Sequence, residues 1–257
     1  MTFHARRPAR FGRMGSVSVL FAVALGSAMG SAAFAQGVRL TAPIRPALAV
    51  IPAEAASADK VALLHGLALI ESDVRLALLF ARDGAPGGDA AHGTHPIQQT
   101  WPAVKDGLIA AGAQDLGPVL EQLAAAKGEQ SIRAAGRDAL TALFKARAAL
   151  AATPADIGAS VLDLTLGAAE MIDASGTTPA DRYQDAWSLL NVARTEADLL
   201  MRTGDRALAR SAEKIVMALD DVILLMPDPA VGAPVDFDRA VIVQAATRVE
   251  TLLKGEV

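Results

Sequence analysis

The chain has no cysteine among its 257 residues. Disulfides, thiolate metal sites, covalently attached haem and a lipidated N-terminal cysteine are excluded with it. Aromatic residues are scarce at 4%, with a single tyrosine, although apolar residues reach 52%. Alanine and leucine dominate that apolar fraction. No long alternation of Val, Ile, Thr and Tyr marks a strand, so sheets are not expected. The sequence also lacks His-Glu-x-x-His, Gly-x-Ser-x-Gly and a phosphate-binding glycine loop. Each of those motifs places a nucleophile, a metal or a phosphate cradle at a defined turn. No Ser, His and Asp set replaces them, and a non-enzymatic protein is expected. Histidine is rare too, with four in the chain.

The N-terminus reads as an address. Arg6, Arg7, Arg10 and Arg13 form a basic segment without an acid, and an apolar stretch follows from Val17 to about Ala33. It ends in Ala33-Phe34-Ala35, the small-x-small form that signal peptidase reads. Residues 1–35 are expected to be a signal peptide cleaved after Ala35, which places the mature protein in the periplasm or outside the cell. Losing those four arginines takes the formal net charge from −4 to −8. Such a chain disfavours nucleic acid and anionic membrane surfaces as partners and suits cations. The mature form is not expected to be membrane-embedded.

Residues 36–56 carry Pro43, Pro46 and Pro52 without a sustained period and read as a flexible lead-in. From Ser57 the pattern is helical. Leu63, Leu67, Ile70, Val74, Ala77 and Phe80 lie at helical spacing in a first helix running to about Arg82. A loop is expected over Asp83–Thr94. His95-Pro96 is expected to open the next helix, since proline is tolerated at a first helical position. Further helices are expected over 115–126, 129–152, 154–174, 179–203, 206–225 and 236–254. The phrase Thr-Pro-Ala-Asp occurs at Thr153–Asp156 and again at Thr178–Asp181. In both copies the threonine is expected to cap a helix, with proline first and the carboxylate facing the free N–H groups. The fold class is therefore all-α: an antiparallel bundle of about eight helices over 57–257. An alternative is two tandem bundles, 57–152 and 153–257. A duplication is one reading of the similar helix ends "LLFARDG" and "LLMRTGD".

Outside the signal segment the histidines are His65, His92 and His95. Neutral imidazole is a common ligand for iron, copper and zinc. His92 and His95 are three residues apart in "DAAHGTHPIQQTWP" and can face one side of a turn. His65 and Asp73 point about 80° apart and lie about 12 Å apart along the helix axis, so they do not easily share one ion. Asp73 with His92 and His95 is the better set, provided that the segment after the first helix folds back over it. If the two histidines splay into solvent, the phrase is only a helix start. Asp156, Asp163 and Glu170 are expected to be a solvated face, and Glu71 is expected to pair with Arg75. Tyr183, Trp187, Leu190, Met171, Met201, Met217 and Met226 are expected in the core. Methionine and histidine can also ligate haem within a bundle, which keeps non-covalent haem binding as a third reading.

"AAHGTHP" (Ala90–Pro96) followed by "IQQTWPAVKDGL" resembles exported helical proteins of proteobacteria with a His-x-x-His-Pro element. "VLDLTLGAAEMIDASGTTPADRYQDAWSLL" (Val161–Leu190) is similar to the extracytoplasmic helical region of bacterial iron-permease-like proteins. Arg182 stands where that family carries an acid before its tyrosine. The resemblance implies a periplasmic, metal-related helical protein. Together with the clustered histidines, the net acidity and the export signal, it leads to the expectation of a binding or accessory protein in the handling of iron or copper. The rival class is a structural or interaction module of the envelope, with a protein partner and no metal.

Overall fold

The computed structural model describes residues 56–81, 89–203 and 205–255. The expected signal peptide and nearly all of the lead-in lie outside the described residues, as does Gly204. The fold is all-α. Its helices are α1 (Ala58–Ala81), α2 (Asp89–His95), α3 (Trp101–Ala110), α4 (Gly117–Ala125), α5 (Glu129–Ala149), α6 (Pro154–Met171), α7 (Ala180–Met201), α8 (Arg206–Leu225) and α9 (Arg239–Leu253). Two-residue strands, β1 (Thr177–Thr178) and β2 (Val235–Asp236), pair antiparallel and tie the loops before α7 and α9. None of the described helices is long and apolar enough to cross a membrane.

Helix α1 spans about 36 Å at ~1.5 Å per residue. It is apolar on more than one face and so is packed on several sides. Leu64, Leu67, Ile70 and Val74 join Trp101, Leu108, Leu120, Leu123 and Leu143 in one core cluster. Ala68 on its other side joins a second cluster, built by α6 to α9 around Val161, Leu164, Tyr183, Leu190, Ile215, Leu219 and Val249. Gly66 makes the first cluster compact, because a Cβ there would collide with the Val104 side chain of α3.

The helix starts are specified locally. The Thr153 side chain accepts from the Asp156 N–H at 3.2 Å, and Asp156 Oδ2 accepts from the Thr153 N–H at 2.8 Å. Asp156 Oδ1 also accepts from the Ser57 N–H at 2.6 Å, fastening the start of α1 to the start of α6. Asp156 is thus buried, not part of a solvated stripe: an acid at the third helical position turns inward to the free N–H groups. Burial pushes its pKa up, but the N–H groups of Thr153 and Ser57, the Thr153 hydroxyl and the charge of Lys60 together hold it below the ordinary value. Thr153→Ala should cost about 1 kcal/mol in urea denaturation. A midpoint unchanged from the parent would show that this cap does not hold the α1–α6 junction.

The second Thr-Pro-Ala-Asp departs from expectation. Thr178 belongs to β1, and its hydroxyl accepts from the Asp173 N–H at 3.0 Å, while Pro179 stands at the start of α7 without a side-chain cap. Pairing with β2 draws the threonine away from the helix end. Asp205 and Asp238 do cap α8 and α9 through Ala207 and Ala240. Tyr183 and Leu190 are fully buried and Trp187 packs at the core edge, but Met217 is 55% exposed on the outer face of α8.

The segment around Pro96 differs most. The chain is already helical at Asp89, so His92 and His95 lie on α2 and not in a loop. Pro96 sits inside a continuous helical run from α2 to α3. A proline there cannot donate to the carbonyl four residues back, and its ring crowds that carbonyl. The chain answers with a π-helical turn over Pro96–Thr100, in which the Trp101 N–H reaches the Pro96 carbonyl. α2, this turn and α3 act as one long helix, so the nine α-helical segments give the bundle about eight rods.

Candidate metal centre

Two helices set up the site. α1 presents Asp73 near its middle. α2 presents His92 and His95 three residues apart, hence on one face. Packing of α2 on α1 then brings the three side chains together. His92 Nδ1 lies 2.9 Å from Asp73 Oδ1, within hydrogen-bond reach. His95 Nδ1 lies 3.6 Å from the same oxygen, an ion-pair separation rather than a hydrogen bond. The imidazoles meet edge to face, with centroids 5.9 Å apart. The condition attached to the histidine phrase is met: both rings converge on the first helix.

The back of the site is closed. Phe80, one helical step beyond Ala77 on α1, stacks on His92 with centroids 5.8 Å apart and planes 15° apart. His92 is buried, while the His95 side chain is 37% exposed and forms the open side. Attraction to Asp73 raises the His95 pKa above its ordinary value. Partial burial opposes the rise, and the charges of Asp73 and Asp185 add to it. A protonated imidazole cannot ligate, so metal affinity at this site should increase as pH rises through the His95 titration.

The candidate ligand atoms of Asp73, His92 and His95 lie within 4.8 Å of one another. Zinc-like bonds of ~2.1 Å hold tetrahedral neighbours about 3.4 Å apart. Small side-chain rotations would close the set on an ion. Two imidazoles and one carboxylate from two helices leave coordination positions open toward solvent, an arrangement suited to iron, zinc or copper. The group could hold a metal ion.

A fourth group, Asp185, went unread in the sequence as a site residue. It lies on α7, which is fastened to α1 beside the site by the Ser188 hydroxyl donating to the Ser72 carbonyl at 3.0 Å. Burial pushes the Asp185 pKa up to about 6; His92 and His95 draw it down, and Asp73 and Asp181 push it further up. Its carboxyl makes no hydrogen bond or ion pair among the described residues. The signal that could have drawn attention to it is the pair Asp181 and Asp185, two carboxylates one turn apart on the same face of α7.

The other candidates lie apart. His65 stays out of the cluster; burial lowers its pKa and neighbouring Asp163 raises it. Glu170 is exposed, and Asp173 pairs with Arg182 at 2.9 Å. Arg182 also donates to the Glu170 carbonyl at 2.8 Å, so it serves the end of α6 rather than a cation site. Compared with family models, curated proteins and solved structures, the chain matches none of them.

Proposed function

We propose that the chain is an exported, non-enzymatic binding or accessory protein that handles a transition-metal ion, with His92, His95 and Asp73 as ligands. The convergence of these three side chains from α1 and α2 supports this reading most directly. Export rests on the basic and apolar N-terminal segment with Ala33-Phe34-Ala35, and an iron or copper role on the clustered histidines, the net acidity and the resemblance of Val161–Leu190 to iron-permease-like proteins taken together. Neutral imidazole ligands favour copper over zinc and zinc over ferrous iron when each is offered alone.

Calorimetric titration of the chain from Gln36 onward with Cu(II), Zn(II) and Fe(II) tests the proposal. His92→Ala/His95→Ala should weaken each affinity by at least about 100-fold, in line with loss of two direct ligands. Equal binding by parent and double variant would remove the site. A visible absorption spectrum of protein from its native compartment separates a bare ion from haem.

A second reading, docking to an envelope protein, is favoured by one observation. Leu224 is 83% exposed and Leu225 66% exposed at the end of α8, one helical repeat from exposed Met217. Aspartate at all three positions should leave metal titration unchanged and abolish any association that this face supports.

A further inference from the structure

We propose that the cleft between α1, α5 and α7 binds a small organic anion, a carboxylate carried on an apolar body. The cleft has a volume of about 430 Å³. Sites for small molecules commonly measure ~300–1,000 Å³ and combine an apolar lining with a few placed polar groups.

Each wall follows from helical spacing. α5 supplies Arg133 and Arg137, four residues apart; α1 supplies Arg75 and Leu78; α7 supplies Trp187 and Asn191. The lining holds three arginines and no carboxylate, in an acidic protein. Two of those cations are already engaged from outside the cleft. Arg75 donates to Glu71 at 2.7 Å, and Arg133 pairs with Glu129 at 2.7 Å. Arg137 has no ion pair among the described residues. One free guanidinium suits one negative charge, and its planar fork matches the two oxygens of a carboxylate.

The apolar part of the ligand has its own seat. Gly136 lies where a Cβ would come 2.7 Å from Leu78 Cδ2, so the glycine lets α5 settle on Leu78 and form the floor. Trp187, half-buried at the edge of the core, offers a flat apolar wall beside the cations. The Asn191 side-chain N–H is directed to the Trp187 carbonyl at 2.8 Å, which leaves its oxygen as the amide's acceptor. Arg75 and Asp73 are two residues apart on α1, about 200° around the helix. The cleft and the candidate metal centre therefore occupy opposite sides of α1, and the proposal does not depend on metal binding.

Octanoate, 1-octanol and acetate make the test, with the chain from Gln36 onward. Trp101 is buried, so a change in tryptophan emission on titration reports mainly on Trp187. Octanoate should change the emission and bind at least about tenfold more tightly than 1-octanol, while acetate should have no effect at the same concentrations. Arg133→Ala/Arg137→Ala, at two exposed positions whose loss should not unfold the chain, should weaken octanoate at least tenfold. His92→Ala/His95→Ala should bind it as the parent does. Equal binding of octanol and octanoate, full binding by the arginine double variant, or no response to millimolar octanoate would each overturn the proposal.

Discussion

Replacing Arg147 with methionine should cost the fold about 3–5 kcal/mol, the range for a buried charge stripped of its partner. Arg147 rises from α5 between two buried carboxylates on neighbouring helices. Its Nη1 meets Glu71 of α1, and its Nε lies 3.4 Å from Glu196 of α7. The Ser160 hydroxyl of α6 donates to Glu196 at 2.6 Å, and Arg75 binds both Glu71 and the Thr195 hydroxyl, the latter at 3.1 Å. Two cations thus face two anions where four helices meet. With Arg147 gone, one buried negative charge is uncompensated. Burial already raises the Glu196 pKa, while Arg147 and Ser160 hold it down and Glu71 adds to the rise. In the variant the rise must be larger, so the folded state binds more protons than the unfolded chain, and stability falls as pH rises. Urea denaturation at pH 7 should show the full loss, and at pH 5 a smaller one. A loss under 1 kcal/mol at pH 7, or one that does not vary with pH, would contradict this account. Converting the set together, with Glu71→Gln, Arg147→Met and Glu196→Gln, should recover much of the loss, because no buried charge is then left alone.

The second large effect has two signs. Asp185→Asn should stabilise the metal-free protein by about 1–2 kcal/mol at pH 7, allowing for partial solvent screening of the buried carboxylate. The carboxyl has a folded pKa of about 6 against an ordinary 3.8, mainly from burial. A raised carboxyl pKa lowers stability above that pKa, and the penalty disappears as pH falls below the unfolded value. The gain from asparagine should therefore be present at pH 7 and absent near pH 3. Metal affinity should move the other way, falling at least about tenfold, as it does when a supporting carboxylate is lost. Denaturation without metal and calorimetry with Zn(II) measure the two halves. A variant that gains stability and binds Zn(II) as tightly as the parent would remove Asp185 from the site.

Much of the architecture was legible because helix ends are local events. Thr153, Asp205 and Gly128 carry their own geometry, and the sequence expectation placed the corresponding helices within a few residues. Pro96 misled for a physical reason: proline inside a helix is costly, so a helix start was the cheaper reading, and a wide turn is not encoded by any short pattern. Thr178 misled because a two-residue pairing with a distant segment outweighed the local cap. The histidines were legible through their rarity and spacing. Asp185 was not, because its place depends on how α7 lies against α1, which no local periodicity states. The Arg147 cluster was hidden likewise, apart from the Glu71–Arg75 pair that helical spacing announces.

The π-helical turn has a further consequence. Such a turn takes up one residue more than an α-helical turn without rotating the helix on one side against the helix on the other. It works as slack between two halves of one rod. Upstream, His92 and His95 mesh with Asp73; downstream, Trp101 and Leu108 mesh with the core. Deleting Gln98 should close the slack and leave both ends engaged. Deleting Asp106, inside the regular turns of α3, should instead swing Leu108 about 100° off the core.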